Sequence, residues 1–404
     1  MAQNATTTVS RTCPAGSAGL RLQPATSLPA YAAAVHDLAA RALAPNPFFM
    51  PEFLGPAIEA LGNGHVSLAL IGSRERLSFF APVVQRASIA PLRWASVWTH
   101  PFAPLGTPLV DREQGQAVVS DLIDGIGTAG LRSLAIPELP VAGAFADALR
   151  KATAGGNATL LGTADRMRPV LNFTAQNRQV ASVALVPRKR RKKLNQQLRT
   201  LDREGTVRLT TATSVADAEE AFRIFAALEQ FGWKGRNGTA MAQDPAILRF
   251  AAEVVRGGAA AGLVSLDTLW AGDRPAACLI RLETGGLAIP WKIAFDEELA
   301  RFSPGKHILL KASDRWCEDA SVNRVDPVCD ADSRILELLW KPEASLASRE
   351  HYRTLIVSPD RAAARTQWLW VSAHDTARSI AKAAVRRVRL RQSKEADLRK
   401  QNSG

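Results

Sequence analysis

Cysteine is scarce: four residues, Cys13, Cys278, Cys317 and Cys329, stand in 404, with no C-x-x-C pair and no regular spacing. A disulfide framework is not expected in a chain this long, and a reducing, cytoplasmic setting suits such thiols better. The six histidines are scattered, none with a ligand partner at helical spacing, so no zinc site is expected. Apolar stretches are broken by charge or proline well short of the ~20 residues a membrane-spanning helix needs. The polar start M-A-Q-N-A-T-T-T-V-S lacks the basic-then-apolar order of a secretory signal. G-x-S-x-G and the phosphate-binding P-loop are missing, which removes the common hydrolase and ATPase signatures.

What is present is globular in balance, with 47% hydrophobic and 22% charged residues. At this length two domains of ordinary size are expected. The net charge of +13 is confined to two segments. Residues 188–193 read R-K-R-R-K-K. From Thr376 onward nine cations (Arg378, Lys382, Arg386, Arg387, Arg389, Arg391, Lys394, Arg399 and Lys400) face only Glu395 and Asp397. The rest of the chain is neutral. A pI near 10.1 therefore describes two local features, not a general nucleic-acid surface.

Residues 1–28 are rich in Thr, Ser, Ala and Gly and read as disordered. An α/β pattern then runs to residue 172. It has helices at 31–43 and from Pro51, a hairpin of 65–71 and 77–84, a strand at 94–98 and a proline-punctuated loop from His100. A helix at 116–126, a strand at 131–136 and a helix at 141–151 follow. The second half repeats the pattern. Leu194, Leu198 and Leu201 stripe a helix over 187–204, and Ser214 is placed to cap another over 215–230. A helix from Pro245 precedes strands at 263–270, 275–282 and 287–295. A helix at 304–319, a strand at 324–328 and a helix ending near Trp340 complete the half. The reading is α/β with one mixed sheet per half.

One motif is a decoy. G-I-G-T-A-G (Gly125 to Gly130) spells the dinucleotide fingerprint, but that fingerprint needs a strand before it and a helix after it. Here the order is reversed, so the glycines read as a helix C-cap and a turn.

Ser303, Pro304, Gly305 and Lys306 open a helix between two strands. Unpaired N–H groups and positive dipole density at such a terminus bind phosphate. Ser303 would cap it, Gly305 would admit a pyrophosphate and Lys306 would add charge; an ordinary capped helix with a proline start is the plainer reading. Strand, phosphate loop, helix, strand is also the order of the coenzyme A site in GNAT acyltransferases. F-G-W-K-G-R-N-G-T-A (Phe231 to Ala240), K-I-A-F-D-E-E-L-A-R-F-S-P-G (Lys292 to Gly305) and V-D-P-V-C-D-A-D-S-R-I-L-E-L-L-W (Val325 to Trp340) resemble the GNAT domain of the CelD-type, FemAB-related proteins of bacterial polysaccharide biosynthesis. The helix Arg191 to Gly205, N-P-F-F-M-P-E-F-L and the H-P-F loop extend the resemblance over roughly residues 30–358.

The resemblance implies two tandem GNAT-like domains, 29–172 and 173–360; beyond it, the charge pattern gives a basic C-terminal helix or tail over 361–404. It implies an N-acyltransferase that uses acetyl-CoA or another acyl-CoA, without metal, and acts on an amino sugar or polysaccharide precursor. Arg301, Ser303, Gly305 and Lys306 would hold the coenzyme. Asp326 would act as base, or else pair with Arg324 or Arg334. Trp233, Lys234, Arg236 and Lys292 would meet the acceptor, or Trp233 would sit in the core. Trp291 and Lys292 adjoin in a strand, so at most one should line the cleft. His100 falls in the matching loop of the first half, where a lone histidine reads as structural. Two departures stand out. Related sequences often carry a histidine where this chain has Asp332 and Ser333, and the tyrosine acid of many GNAT enzymes has no counterpart, since Tyr31 and Tyr352 are the only tyrosines.

The competing readings are a non-catalytic GNAT-like scaffold and a FemAB-like transferase using aminoacyl-tRNA. No aromatic interleaving accompanies Arg188–Lys193, so nucleic acid is disfavoured there, with tRNA left open. A solvated helix start, an anionic precursor and the coenzyme's phosphates are the candidates for that run. Residues 376–404 place cations beside an apolar helical face, the composition of a helix lying on anionic lipid, or of a solvated terminal helix.

Overall fold

The computed structural model describes residues 19–87, 93–174, 177–178, 185–329, 340, 347–378 and 380–381. In chain order the first half supplies β1 (Arg21–Pro24), α1 (Leu28–Ala40), α2 (Pro51–Leu61), β2 (Val66–Gly72), β3 (Leu77–Ala87), β4 (Arg93–Val97) and β5 (Leu109–Val110). It continues with α3 (Gly115–Thr128), β6 (Ser133–Pro140), α4 (Ala144–Thr153), β7 (Thr159–Gly162) and β8 (Arg166–Asn172). The second half supplies α5 (Arg188–Glu204), β9 (Val207–Thr211), α6 (Val215–Phe231), the single turn α7 (Trp233–Arg236), α8 (Pro245–Ala260), β10 (Val264–Ala271) and β11 (Arg274–Thr284). After them come β12 (Leu287–Phe295), α9 (Pro304–Glu318), β13 (Arg324–Val325) and β14 (Ala347–Ser358). Residues 361–378 form a further helix, α10.

The mixed α/β character is as expected, but the halves do not keep separate sheets. One sheet runs β1-β2-β3-β4-β6-β14-β8-β13-β12-β11-β10-β9, with β5 on β3 and β7 on β14. The seam is antiparallel, Asn172 opposite Arg324 and Leu171 opposite Val325. The boundary at residue 172 also does not divide the sheet cleanly. β14 follows the whole second half, yet it lies between β6 and β8. Pairs β4–β6 and β12–β13 are parallel, and the remaining pairs are antiparallel.

Side-chain alternation along β11 sorts the layers. Cys278, Ile280 and Leu282 share a core with Phe222 and Phe225 of α6 and Phe250 of α8. Ala277 and Leu279 face the other way, packing with Leu194 of α5 and Ile308 and Leu309 of α9. The first core continues into the first half. Phe53 of α2 meets Phe250 edge-on at 5.6 Å and Trp291 of β12 at 5.4 Å.

Two local expectations change. Residues 19–28 are ordered, because Arg21–Pro24 adds an edge strand to β2; residues 1–18 lie outside the described residues. The helix expected to end near Trp340 also lies outside them, as do Asp332, Ser333, Arg334 and the tail from residue 382. The glycines of G-I-G-T-A-G lie in and just after the last turn of α3, and β6 follows them. Gly125 is needed there for packing: a Cβ would stand 2.5 Å from the Cβ of Leu20.

Because β14 fills the middle of the first half's sheet, a chain ending at residue 346 is expected to lose cooperative folding of both halves. Circular dichroism should show no sharp thermal transition, and a sharp one would contradict the shared-sheet account.

Candidate active site

β12 and β13 pair for only two residues, Leu287 with Arg324 and Ala288 with Val325. The Asp326 N–H still donates to the Ala288 carbonyl at 3.0 Å, and then the chain leaves. Pro327 has no N–H to continue the ladder. Val328 follows at φ +43°, a left-handed conformation that a β-branched residue adopts only under constraint. Oδ1 of Asp326 supplies that constraint by accepting the Val328 N–H at 2.9 Å. The carboxylate thus ties the turn that parts the two strands.

β12 is itself irregular. Its register against β11 shifts between Ile280, opposite Lys292, and Arg281, opposite Pro290, which leaves Trp291 as an extra residue. Such a bulge re-aims side chains. Trp291 and Lys292 both line the gap, where simple alternation allowed one. The gap is a cavity of about 210 Å³, walled by Pro290 to Ile293, Leu279, Leu309 and Pro327 to Cys329. Pro101, Phe102 and Pro104 of the first half complete its lining. Trp291 Nε1 donates to the Phe102 carbonyl at 2.8 Å, fastening that loop to β12.

Lys292 is the unusual charge. Its Nζ lies 4.5 Å from the Phe102 ring and 5.9 Å from the Trp291 ring. The neighbouring carboxylate, Glu229, is buried and already engaged: it accepts from Lys234 Nζ at 2.6 Å and from the Met241 N–H at 2.8 Å. Burial pushes the Lys292 amine down to about 8, with the charge of Lys234 adding to the shift and Glu229 opposing it. His100 stands near, 4.7 Å from Trp98. Burial, then the charge of Lys292, pushes its imidazole down to about 4, and its buried Nδ1 finds no hydrogen-bond partner.

The other expected residues are placed differently. Asp326 is 1% exposed and does not line this cavity. It accepts from the Tyr352 hydroxyl and lies 3.8 Å from Arg324, within a buried network. Arg324 donates to Glu350 at 2.7 Å and to Asn172 at 3.1 Å. Arg168 lies over the Tyr352 ring and donates to Glu138 at 2.6 Å. Burial, then the charge of Asp326, pushes the Tyr352 phenol well up, which keeps it a donor. Asp326, Arg324 and Glu350 line a second cavity of about 190 Å³ beside the start of α4. Asp326, expected as a base, is thus engaged by Tyr352, Arg324 and the Val328 N–H and stands outside the cavity that Lys292 lines.

At the head of α9, Ser303 is left-handed at φ +57° and its side chain makes no cap. Gly305, expected to admit a pyrophosphate, also has a packing role. A Cβ there would press on Phe295 at 3.2 Å, so the glycine lets α9 lie close on β12. Arg301 pairs with Glu204 at 2.9 Å and stacks on Phe302, and Lys306 is half-buried. At the head, Lys306 and His307 donate their N–H groups to the Ser303 carbonyl at 2.9 and 3.3 Å, and Pro304 has none, which leaves that of Gly305 and the positive end of the helix dipole. β12 beyond Ala288 also has no strand partner on its β13 side among the described residues, so it offers backbone groups to a bound chain. Trp233 is half-exposed and not core, its N–H held by Glu297, which also pairs with Arg236. No group of three His, Cys, Asp or Glu that could hold a metal occurs among the described residues.

Parted strands, the intervening helix and the cavity between them can be set beside known proteins. Residues 188–333 match the model of the acetyltransferase (GNAT) domain family. That match spans a little over a third of the chain and makes this region similar to a GNAT acyltransferase domain. No curated protein matches the chain. Among solved structures, a conserved protein of unknown function from Bacteroides thetaiotaomicron is 11% identical, with a TM-score of 0.53 over 81% of this chain and 97% of that one. FemX is 10% identical, with a TM-score of 0.54 over 78% of this chain and 94% of that one. These two share the fold. In the GNAT domain the basic start of α5 lies away from the α9 head. α5 runs antiparallel to α9, with Gln197 on the Arg301 carbonyl at 2.6 Å and Arg191 beside Lys311 and Asp314. Seven residues separate Pro304 from Lys311, about 10 Å along the axis, so the run does not reach phosphates held at the head.

Sequence reasoning passed over Glu229, although a carboxylate on the apolar stripe of Phe222 and Phe225 was a readable signal. The Tyr352 network carried none.

Asp326→Ala should cost about 3–5 kcal/mol in denaturant unfolding, because it strands buried cations. Asp326→Asn, which keeps the acceptor for Val328, should cost less. A loss under about 1 kcal/mol for the alanine would contradict the network's role. Amine-selective labelling with peptide mapping should show Lys292 reacting with a midpoint near 8, since only the neutral amine reacts. A midpoint near ~10.4, the ordinary lysine value, would contradict its burial.

Proposed function

We propose that the chain transfers an acetyl or longer acyl group from coenzyme A directly to the amine of an amino sugar or polysaccharide precursor. The observation that carries this reading is the cavity opened where β12 and β13 part, with an unpaired lysine in its wall. The GNAT domain match and the CelD-type sequence resemblance support it.

Coenzyme A, when bound, supplies the acyl group as a thioester. Arg301, Lys306 and the backbone at the α9 head would hold its phosphates, with Ser303 and Gly305 shaping that turn. The exposed edge of β12 would receive its arm. Lys292 takes the proton that the attacking amine must lose, a task suited to a group whose pKa lies near the working pH. His100, neutral and unpartnered, stands next to receive or orient it. Trp233, Lys234 and Arg236 form the acceptor's side of the cleft, where Phe231 and Trp233 expose aromatic surface suited to a sugar face.

The setting proposed is cytoplasmic, with peripheral membrane contact through residues 376–404. α10 docks through Ala364, Gln367 and Trp368 while exposing Leu369 and Trp370. No helix among the described residues is long and apolar enough to cross a membrane.

Release of coenzyme thiol from acetyl-CoA should depend on an amino-sugar acceptor. The rate should rise with pH through about 8, because Lys292 acts when neutral. Lys292→Met should lower it by ~100-fold or more. An unchanged rate in that variant would overturn the assignment, and no acceptor-dependent release with any amine would favour a scaffold.

A further inference from the structure

A third cavity lies on the α9 face of the sheet, between α5 and α9, with a volume of about 140 Å³. Leu194 and Leu198 of α5, Val207 and Leu269 of the sheet and Leu310 of α9 give it apolar walls. In the stripe of α5, Leu194 and Leu201 are buried while Leu198 is left half-buried, facing this groove.

Among its polar lining residues, which include the exposed Asn195, one is buried. His307, 4% exposed, lines the cavity, and its Nε2 has no hydrogen-bond partner. Burial pushes its imidazole down to about 4, opposed by a hydrogen bond to the Phe302 carbonyl. A ring that gives its one N–H to a carbonyl keeps the other nitrogen as an acceptor. The groove therefore offers flat apolar walls and one buried acceptor in want of a donor. Arg191 and Lys311 stand at its rim as cations, with Asp314 beside them.

We infer that this groove receives the adenine ring of an adenosine phosphate, the far end of the acyl donor, with the exocyclic amino group donating to Nε2 of His307. The assignment rests on the acyl-CoA reading given above. Position supports it: His307 is three residues beyond Pro304, about 5 Å along α9 from the head that would hold the pyrophosphate. A chain leaving that head toward α5 enters the groove beside Leu198, and a phosphate on its ribose would meet Arg191 and Lys311. The coenzyme would then lie along α9, its arm in the gap between β12 and β13 and its base under α5.

Calorimetry on the full chain tests this with three probes: acetyl-CoA, 3′,5′-ADP and S-acetyl-4′-phosphopantetheine, which lacks the adenosine. Two variants are used, His307→Phe, which removes the acceptor, and Leu198→Trp, which fills the groove from a half-exposed position should the first fail to fold. Each is expected to weaken acetyl-CoA by about tenfold or more, to abolish 3′,5′-ADP binding, and to leave the phosphopantetheine thioester within about twofold. Unchanged acetyl-CoA affinity in a folded variant overturns the groove assignment and leaves the acyl-donor reading standing. So does a wild type that binds the truncated thioester as tightly as acetyl-CoA. Failure of the wild type to bind either thioester overturns both.

Discussion

A single hydrogen bond, from the Val328 N–H to Oδ1 of Asp326, governs where the two central strands part. The turn it holds places a branched residue in left-handed backbone, which persists only where the surroundings over-determine it. Tyr352, Arg324 and Arg168 provide that over-determination by fixing the carboxylate in a buried ionic network. Tyr352 sits on β14, the strand that crosses back into the first half, and Arg168 sits on β8, beside the seam. The site's geometry and the joining of the halves are thus one mechanical unit. A chain with two independent sheets would have no buried partner for Asp326.

The electrostatics of the gap follow from who is already paired. Lys234 belongs to Glu229, Arg236 to Glu297 and Arg301 to Glu204. Lys292 alone of these cations faces aromatic rings in place of a carboxylate. Desolvation then weakens its hold on its proton, and burial, with the charge of Lys292 adding to it, lowers the pKa of His100. A lysine in that state suits proton transfer better than it suits structural pairing.

Local pattern made much of the second half readable. The capping box at Ser214, the strands β10 to β12 and the helix after Pro304 all stand where periodicity put them. Non-local features were not readable. Nothing in A-S-R-E-H-Y-R-T-L-I-V-S marks it as the middle strand of a sheet built far upstream, because pairing partners are set by tertiary packing. The bulge at Trp291 shows only once β11 is in register, and it reverses the alternation argument for Lys292. That Gly305 also lets α9 lie close on Phe295 shows only once the helix is packed on β12. Asp326 stood out in the sequence, but its partners Tyr352 and Arg168 lie on strands that no spacing connects to it.

The most direct test of the account is the rate at which Lys292 is labelled by an amine-selective reagent with and without saturating acetyl-CoA. If the gap between β12 and β13 is the coenzyme site, labelling of Lys292 falls by about tenfold or more while exposed lysines such as Lys189 and Lys193 are unaffected. An unchanged rate at Lys292 under saturating coenzyme would contradict the central claim.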